Sequence, residues 1–550
     1  MKKIIYPAVL LSIFCSGFTL FTNGQGFSAT IQKRLQSVID SFQNNPSNPF
    51  VGGMSVAIKI DGLTEWEGAT GYAARNVDEN NNVTPGGTPF KVNTLSRIYS
   101  ITKTFTSPLV LELANEGAFS LDDLISKYIP VNAINPDINS NVTIRQLLAH
   151  ESGYSDFTDE INLQITVAAQ PTHVWTPYEM LSFVHQINPP GSVRKYSSTN
   201  YVLLGAIIET VTGKPVEDFY RHRFFNPLGL KSMYFDIREQ NPTNRILAAP
   251  HDNISAFNPV FMQTGQPTFP DAYTNISRFP YTAISSLGFT GGAIISDVKD
   301  VADWSSDLFS GRVTGKKVLN TMLQSISPNP DEDGDRLGYG VILSKKISGI
   351  YDFYGHDGNA PGYRSVMFFQ PDKKLSLVIL TNYHGADIYA IAKALYNAFP
   401  EFQCGNKDDK VIICFNGKKF CLPRIAASWL IASGATLGTC DEKCLTPFDG
   451  ENMSINPKLQ MASNNISTGV FPNPFTTSVT FSFTSPVAGQ TSIRLYNMNG
   501  NMVATVYSGY VQKGILQQIN FNGSKLPAGI YISRLQTTSG TFAQKIIKIH

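Results

Sequence analysis

Ser100 and Lys103 stand three residues apart in SRIYSITKTFT, residues 96–106. On a helix that spacing puts a hydroxyl and an amine on one face. The pair has two readings. The hydroxyl can cap the helix, its oxygen accepting a backbone N–H. Or it can be a nucleophile, eased toward its alkoxide by the positive end of the helix dipole, with the amine stabilising the charge or taking the proton. Spacing alone does not separate them. Two further Ser-x-x-Lys matches occur, Ser192 with Lys195 and Ser296 with Lys299. Ser192 lies in PPGSVRKYSS, a Pro/Gly-rich stretch with no helix to hold the pair on one face. Ser296, in AIISDVKDVADW, reads as a helix N-cap after a strand. His150 in LLAHESGY is the other reactive type that draws notice, but no HExxH pattern exists and the eight histidines are scattered. We read His150 as a turn or core residue and expect no metal and no cofactor. No complete G-x-S-x-G elbow occurs. GMSVA at 53–57 comes nearest and lies on a predicted strand, which argues against an α/β-hydrolase.

The elements that must hold these groups belong to more than one domain, because 550 residues exceed one compact core. Hydrophobic residues make up 42 % and charged residues 16 %, with a formal net charge of +2 and no Lys/Arg block. Nucleic acid is therefore not an expected partner. The start, MKKIIYPAVLLSIFCSGF, is basic and then briefly apolar, the pattern of a secretory signal peptide, assigned to residues 1–24. No other run approaches the ~20 apolar residues of a membrane span, so no transmembrane segment is expected after signal removal. Export permits disulfides. Cys404, Cys414, Cys421, Cys440 and Cys444 all fall in one short segment, and an odd number leaves one over or paired elsewhere.

Alternation in MSVAIKI, 54–60, predicts a half-buried strand, with a second around 64–72. Residues 100–116 read as a helix ending at Gly117, kinked by Pro108. YVLLGAIIETVT, 201–212, reads as a helix closed by Gly213, and RSVMFFQPDKKLSLVILTN as a hairpin. Strands at both ends with helices between predict an α/β sandwich with a helical insert over 25–400. A Cys-containing module follows at 401–458. From 459 onward VTFSFTS, SIRLYNMNG and GIYISRLQT predict a small β-sandwich.

Context lifts the first Ser-x-x-Lys above the others. SRIYSITKTFTSPLVLELANEGAFSLDDLISKYIP is followed in order by VTIRQLLAHESGYSD, KYSSTNYVLLGAIIETVTGK, FFNPLGLKSMYF, GFTGGAIISDVKDVADW and YGHDGNAPGYRS. This succession resembles the serine β-lactamase and penicillin-binding-protein family, in the branch of class C β-lactamases, D-Ala-D-Ala carboxypeptidases, D-aminopeptidases and related esterases. The resemblance implies a β-lactamase-like fold, an antiparallel sheet flanked by helices with a mostly helical insert. It makes Ser100 the acylated nucleophile, Lys103 its partner and Tyr196, from the Tyr-x-Asn motif, the second activating group. His356–Asp357–Gly358 matches the third motif, lining the far wall of the cleft. The backbone N–H groups of Ser100 and Asn359 would form an oxyanion hole. A phenol with an ordinary pKa near 10 must be perturbed to act as a base, and cations at Lys103 and His356 would favour its phenolate. Ser198 stands where the motif has Asn. A hydroxyl holds a substrate carbonyl differently from an amide, an arrangement that suits esters more readily than amides or β-lactams. Asp357 beside His356 would raise the imidazole pKa and make activity sensitive to pH around neutrality. The expected function is an exported serine hydrolase acting through an acyl-enzyme on an ester, a D-amino-acid peptide or a β-lactam-like amide, with a small-molecule or peptidoglycan-type substrate. The alternative is a surface binding protein that keeps the fold and turns over nothing.

VIICFNGKKFCLPRIAASWLIASGATLGTC resembles a short motif of exported bacterial proteins, matched at Cys414, Gly417, Gly434, Gly438 and Cys440. The resemblance implies a Cys414–Cys440 pair. Phe415, Trp429 and Ser433 stand where that motif commonly has histidines, so no metal is expected. The tail resembles the C-terminal sorting domain of the type IX secretion system at Pro472–Asn473–Pro474, Asn499–Gly500, LPAGIY (526–531), Lys545 and Lys548. It implies the secretion machinery as partner and a secreted or outer-membrane surface location. The plainer alternative is a carbohydrate-binding β-sandwich.

Overall fold

The computed structural model describes residues 26–45, 50–399, 402–404, 410–438, 440 and, with short gaps, 467–548. The expected signal peptide, Cys444, Pro472–Asn473–Pro474 and Asn499–Gly500 lie outside the described residues. Chain contacts separate two units, Met1–Phe448 and Asp449–His550.

The first unit is built on an eight-stranded sheet: β1 (Gly53–Ile60), β2 (Thr64–Val77), β3 (Val83–Pro89), β4 (Arg336–Leu337), β5 (Ile342–Ser344), β6 (Phe353–Ala360), β7 (Tyr363–Gln370) and β8 (Leu375–Thr381). Its order is β3-β2-β1-β8-β7-β6-β5-β4, and every pairing is antiparallel. The helices used below are α1 (Ala29–Gln43), α2 (Lys103–Asn115), α3 (Ser198–Thr212), α4 (Thr282–Gly292), α5 (Val298–Phe309) and α6 (Ile388–Ala398).

The period of two in the central strands explains the layering. Val56, Ile58, Val366, Phe368, Leu377 and Ile379 point to one face and share a core with Leu35 and Ile39 of α1 and Ile391 and Leu395 of α6. Their neighbours Ala57, Met367, Val378 and Leu380 point to the other face, into a core with Phe105 of α2, Trp304 of α5 and the helical insert. Both faces are covered, so LSLVILT of β8 is buried throughout, a continuous apolar run rather than an alternating one. Phe105 stacks on Trp304 at 3.8 Å, and the Trp304 indole N–H donates to Thr104 Oγ1 at 2.9 Å. Together they lock the first turn of α2. A 3-10 turn, Tyr99–Thr102, precedes it, and α2 continues past Pro108.

The cysteine module packs on the α1/α6 side: Val411, Ile413, Ala427 and Ile431 join that core. Its strands Lys410–Phe415 and Lys418–Pro423 form a hairpin, and disulfides join Cys404 to Cys421 and Cys414 to Cys440. In the second unit, a three-stranded and a four-stranded sheet share a small core that includes Phe481, Phe483, Ile493, Leu495 and Leu535. Among the described residues, no helix is long and apolar enough to cross a membrane.

Candidate active site

Ser100 sits in the 3-10 turn that leads into α2, so it is not the helix cap. Tyr99 before it has a φ of 45°, an uncommon backbone conformation for a bulky residue. The Tyr99 hydroxyl bonds that of Tyr281, which in turn donates to the Pro361 carbonyl at 2.5 Å. From the other side β6 closes on the same segment. A methyl group at Gly358 would lie 2.4 Å from the Ile98 carbonyl oxygen and 2.2 Å from Ser365 Oγ. Glycine there lets the strand approach the Ser100 turn backbone to backbone, and Ser365 Oγ adds a hydrogen bond to the Ile98 carbonyl at 2.9 Å.

Two groups meet at the Ser100 hydroxyl. Lys103 Nζ donates to Ser100 Oγ at 2.9 Å, and the Tyr196 hydroxyl donates to the same oxygen at 2.8 Å. Lys103 also donates to the Gly291 carbonyl at 2.8 Å and reaches Ser198 Oγ at 3.4 Å. The amine is fully buried, and desolvation lowers its pKa from 10.5 to about 7, partly offset by the carboxylates of Asp156 and Asp357. Desolvation acts oppositely on the phenol: the Tyr196 hydroxyl is held well above its ordinary range.

This corrects the expectation of a phenolate held by two cations. His356 is 2 % exposed, and burial first, then the charge of Lys103, lower its pKa to about 3. Its Nδ1 donates to the backbone carbonyl of Asp357 at 2.7 Å, while the Asp357 carboxylate stands 3.7 Å off. The imidazole is therefore neutral at neutral pH. The group whose pKa lies near neutrality is Lys103 rather than His356.

Tyr196 is positioned by the segment 150–157. His150, with a φ of 58°, stacks its ring on Tyr196 at 4.6 Å, and its Nδ1 accepts the Ser197 N–H at 3.1 Å. Burial holds His150 well below its ordinary pKa, so it is a neutral acceptor in a buried turn. Asp156 Oδ2 accepts the Ser198 N–H at 2.8 Å, and Thr199 Oγ1 donates to the Ser155 carbonyl at 2.8 Å. These bonds explain why α3 begins at Ser198 and buries its polar first turn. Asp156, the Gly291 carbonyl and the His150 stack are the parts of the site that sequence reasoning missed. None has a spacing signal, because each acts through the backbone, through charge or through ring contact.

Ser100, Tyr196, Ser198, His356 and Asn359 all line one cavity of about 1060 Å³. Gly358, grouped from sequence with the substrate-binding residues, is not among the lining residues; it faces the Ile98 backbone instead. The side chains of the other two Ser-x-x-Lys pairs are engaged with other partners. Ser192 Oγ donates to the Pro189 carbonyl and Lys195 pairs with Glu332; Ser296 is buried in a strand, and Lys299 pairs with Asp303. The N-cap expected at Ser296 is Asp297, whose carboxylate accepts the Asp300 N–H. Among the described residues, no group of three or more His, Cys, Asp or Glu side chains could hold a metal ion.

Comparison with known proteins places the chain in a family. The family model described as Beta-lactamase matches residues 39–397, and that of the secretion system C-terminal sorting domain matches 469–549. The D-aminopeptidase of Cereibacter sphaeroides is 24% identical over 370 residues, 66% of this chain and 62% of that protein. The chain thus spans about three fifths of that relative's length. A putative D-alanyl-D-alanine carboxypeptidase of Salmonella agona is 26% identical over 53% of this chain and 69% of its own. Among solved structures, a D-stereospecific amidohydrolase from Streptomyces sp. superposes with a TM-score of 0.53 at 25% identity, covering 68% of this chain and 99% of that one.

Proposed function

The chain belongs to the beta-lactamase family and ends in a type IX sorting domain that marks it for secretion or the outer-membrane surface, and on that premise we propose that it is an exported serine hydrolase working through an acyl-enzyme. Ser100 is the nucleophile and Lys103 its base. As Ser100 Oγ attacks the carbonyl carbon of an ester or amide, its proton passes to the neutral Lys103 amine. The carbonyl oxygen takes the negative charge and faces the backbone N–H groups of Ser100 and Asn359. The bond to the leaving group then breaks, and the departing oxygen or nitrogen takes a proton from the Tyr196 hydroxyl, which regains one from Lys103. Water follows the same path in reverse. It gives up a proton, attacks the acyl carbon, releases the acid and restores the Ser100 hydroxyl. Ser198, at the end of the Lys103 contacts, is the group closest in role to the missing Asn. The export reading also takes residues 1–24 as a removed signal peptide.

What supports this most is that one hydroxyl oxygen accepts from both an amine lowered to about 7 and a neutral phenol. A nucleophile needs a base that is unprotonated at working pH and an acid that is not. Labelling with a fluorophosphonate tests the proposal. The wild-type chain should label at Ser100 and the Ser100→Ala variant should not. A folded wild type that takes no label, or a variant that labels equally, defeats the enzyme reading in favour of a binding protein.

A further inference from the structure

We infer that the cavity takes esters or amides with an apolar acyl portion and no free carboxylate. This rests on the serine hydrolase reading and adds a substrate class to it.

Charge is the first support. Asp331, Glu332, Asp333 and Asp335 line the cavity from one loop, and Asp156, Asp159 and Asp357 line it from the segments that carry or brace the catalytic groups. The lysines and arginines that line it are Arg194, Lys195 and Lys346. Each is matched: Arg194 with Glu151 at 2.7 Å, Lys346 with Asp335 at 2.7 Å, and Lys195 with Glu332 at 3.3 Å. Arg194 further donates to the carbonyls of Ser325 and Leu337. Lys103 is committed to Ser100 and Gly291, and His356 is neutral. Burial, with the charges of neighbouring acids, raises the pKa of Asp331 and Asp335. Asp335 feels Asp357, so the acidic loop and β6 share one field. A carboxylate entering this cavity meets excess negative charge and, among the described residues, no uncommitted lining cation. Penicillins, cephalosporins and peptides ending in D-Ala-D-Ala all carry such a carboxylate at neutral pH.

Apolar lining is the second support. Leu163 and Val167 of the helix Ile161–Ala169, Phe257 and Phe261 around the helix Asn258–Thr264, and Phe279 and Leu287 line the same cavity as Ser100. A large cleft with an apolar wall and a few convergent polar groups takes a ligand that buries an apolar portion.

The test compares p-nitrophenyl hexanoate with mono-p-nitrophenyl adipate, which differs by a terminal carboxylate, on the full chain. Each releases p-nitrophenolate and then its acid. We expect kcat/KM for the hexanoate to exceed that for the adipate by about thirtyfold at low salt, since like charges brought together oppose binding. The gap should shrink in high salt and vanish when the adipate carboxylate is methylated. Glu332→Gln, at a side chain 86% exposed, leaves Lys195 without its carboxylate and should narrow the gap. Phe257→Ala should lower the preference for hexanoate over acetate. Fluorophosphonate labelling of Ser100 with no gap between the esters overturns the substrate class alone. Absence of labelling overturns the hydrolase reading and this inference with it.

Discussion

If Lys103 takes the Ser100 proton, acylation must follow the titration of a buried amine. Lowering its pKa from 10.5 to about 7 amounts to roughly 5 kcal/mol of preference for the neutral form, at about 1.4 kcal/mol per tenfold change. The sign follows from which form reacts. The neutral amine accepts the proton, and it predominates above about pH 7. The second-order rate of fluorophosphonate labelling should therefore be flat above that value and fall about tenfold per pH unit below it. At pH 5 about one amine in a hundred is neutral, so labelling should be about a hundredfold slower than on the plateau. No other group at Ser100 gives that limb. His356 titrates at about 3, and Tyr196 lies well above the ordinary phenol value. Asp156→Asn adds a directional check: its carboxylate partly offsets the desolvation of Lys103, so removing it should move the limb to lower pH. A limb near 10, no limb, or a shift to higher pH in Asp156→Asn would refute the assignment of Lys103 as base.

Two further variants probe the same corner. Tyr196→Phe removes the donor to Ser100 Oγ and to the leaving group; kcat/KM should fall by about 10²–10⁴ with the circular-dichroism spectrum unchanged, and wild-type turnover would rule out the acid role. Gly358→Ala forces a methyl group against the Ile98 carbonyl. Overpacking of that kind costs about 1–3 kcal/mol, so thermal melting should show a lower midpoint and labelling of Ser100 should slow, whereas an unchanged protein would mean β6 does not clasp the nucleophile turn.

The strand-and-helix plan was legible because it rests on local periodicity. The alternation in MSVAIKI sorts Val56 and Ile58 from Ala57 in the folded sheet as it does along the chain. The Ser100–Lys103 pair was legible because both lie within one turn. Other features were not. Ser296 and Asp297 are adjacent and both suit an N-cap, and only the start of α5 decides for Asp297. α3 begins at Ser198 rather than at Tyr201, because Ser155 and Asp156, some forty residues away in the chain, satisfy its polar first turn. The neutrality of His356 was illegible for a related reason. A carboxylate next in sequence suggests a raised pKa, but the ring turns its N–H to the Asp357 backbone and is enclosed by residues distant in the chain. Sequence neighbours do not report desolvation.

If Lys103 is the base of the proposed reaction, the two carboxylates around it set its working range. Asp156 is tied to the N–H groups of Ser198 and Thr158, and Asp357 accepts from the Tyr389 hydroxyl at 3.0 Å. Each is held by its own partners and acts on Lys103 through charge alone. Direct contact with the amine would fix it as an ammonium, unable to take a proton from Ser100. With both carboxylates absent, desolvation would act unopposed, and the ammonium formed on proton transfer would lose the charges that stabilise it. Negative charge held one layer away would do both tasks in part: it lets burial bring the amine's pKa to about 7 and would still favour the cation formed if Ser100 attacks. The hydrogen bonds that orient Asp156 and Asp357 therefore matter to the chemistry although neither carboxylate touches Ser100, Lys103 or Tyr196 in the hydrogen bonds described above.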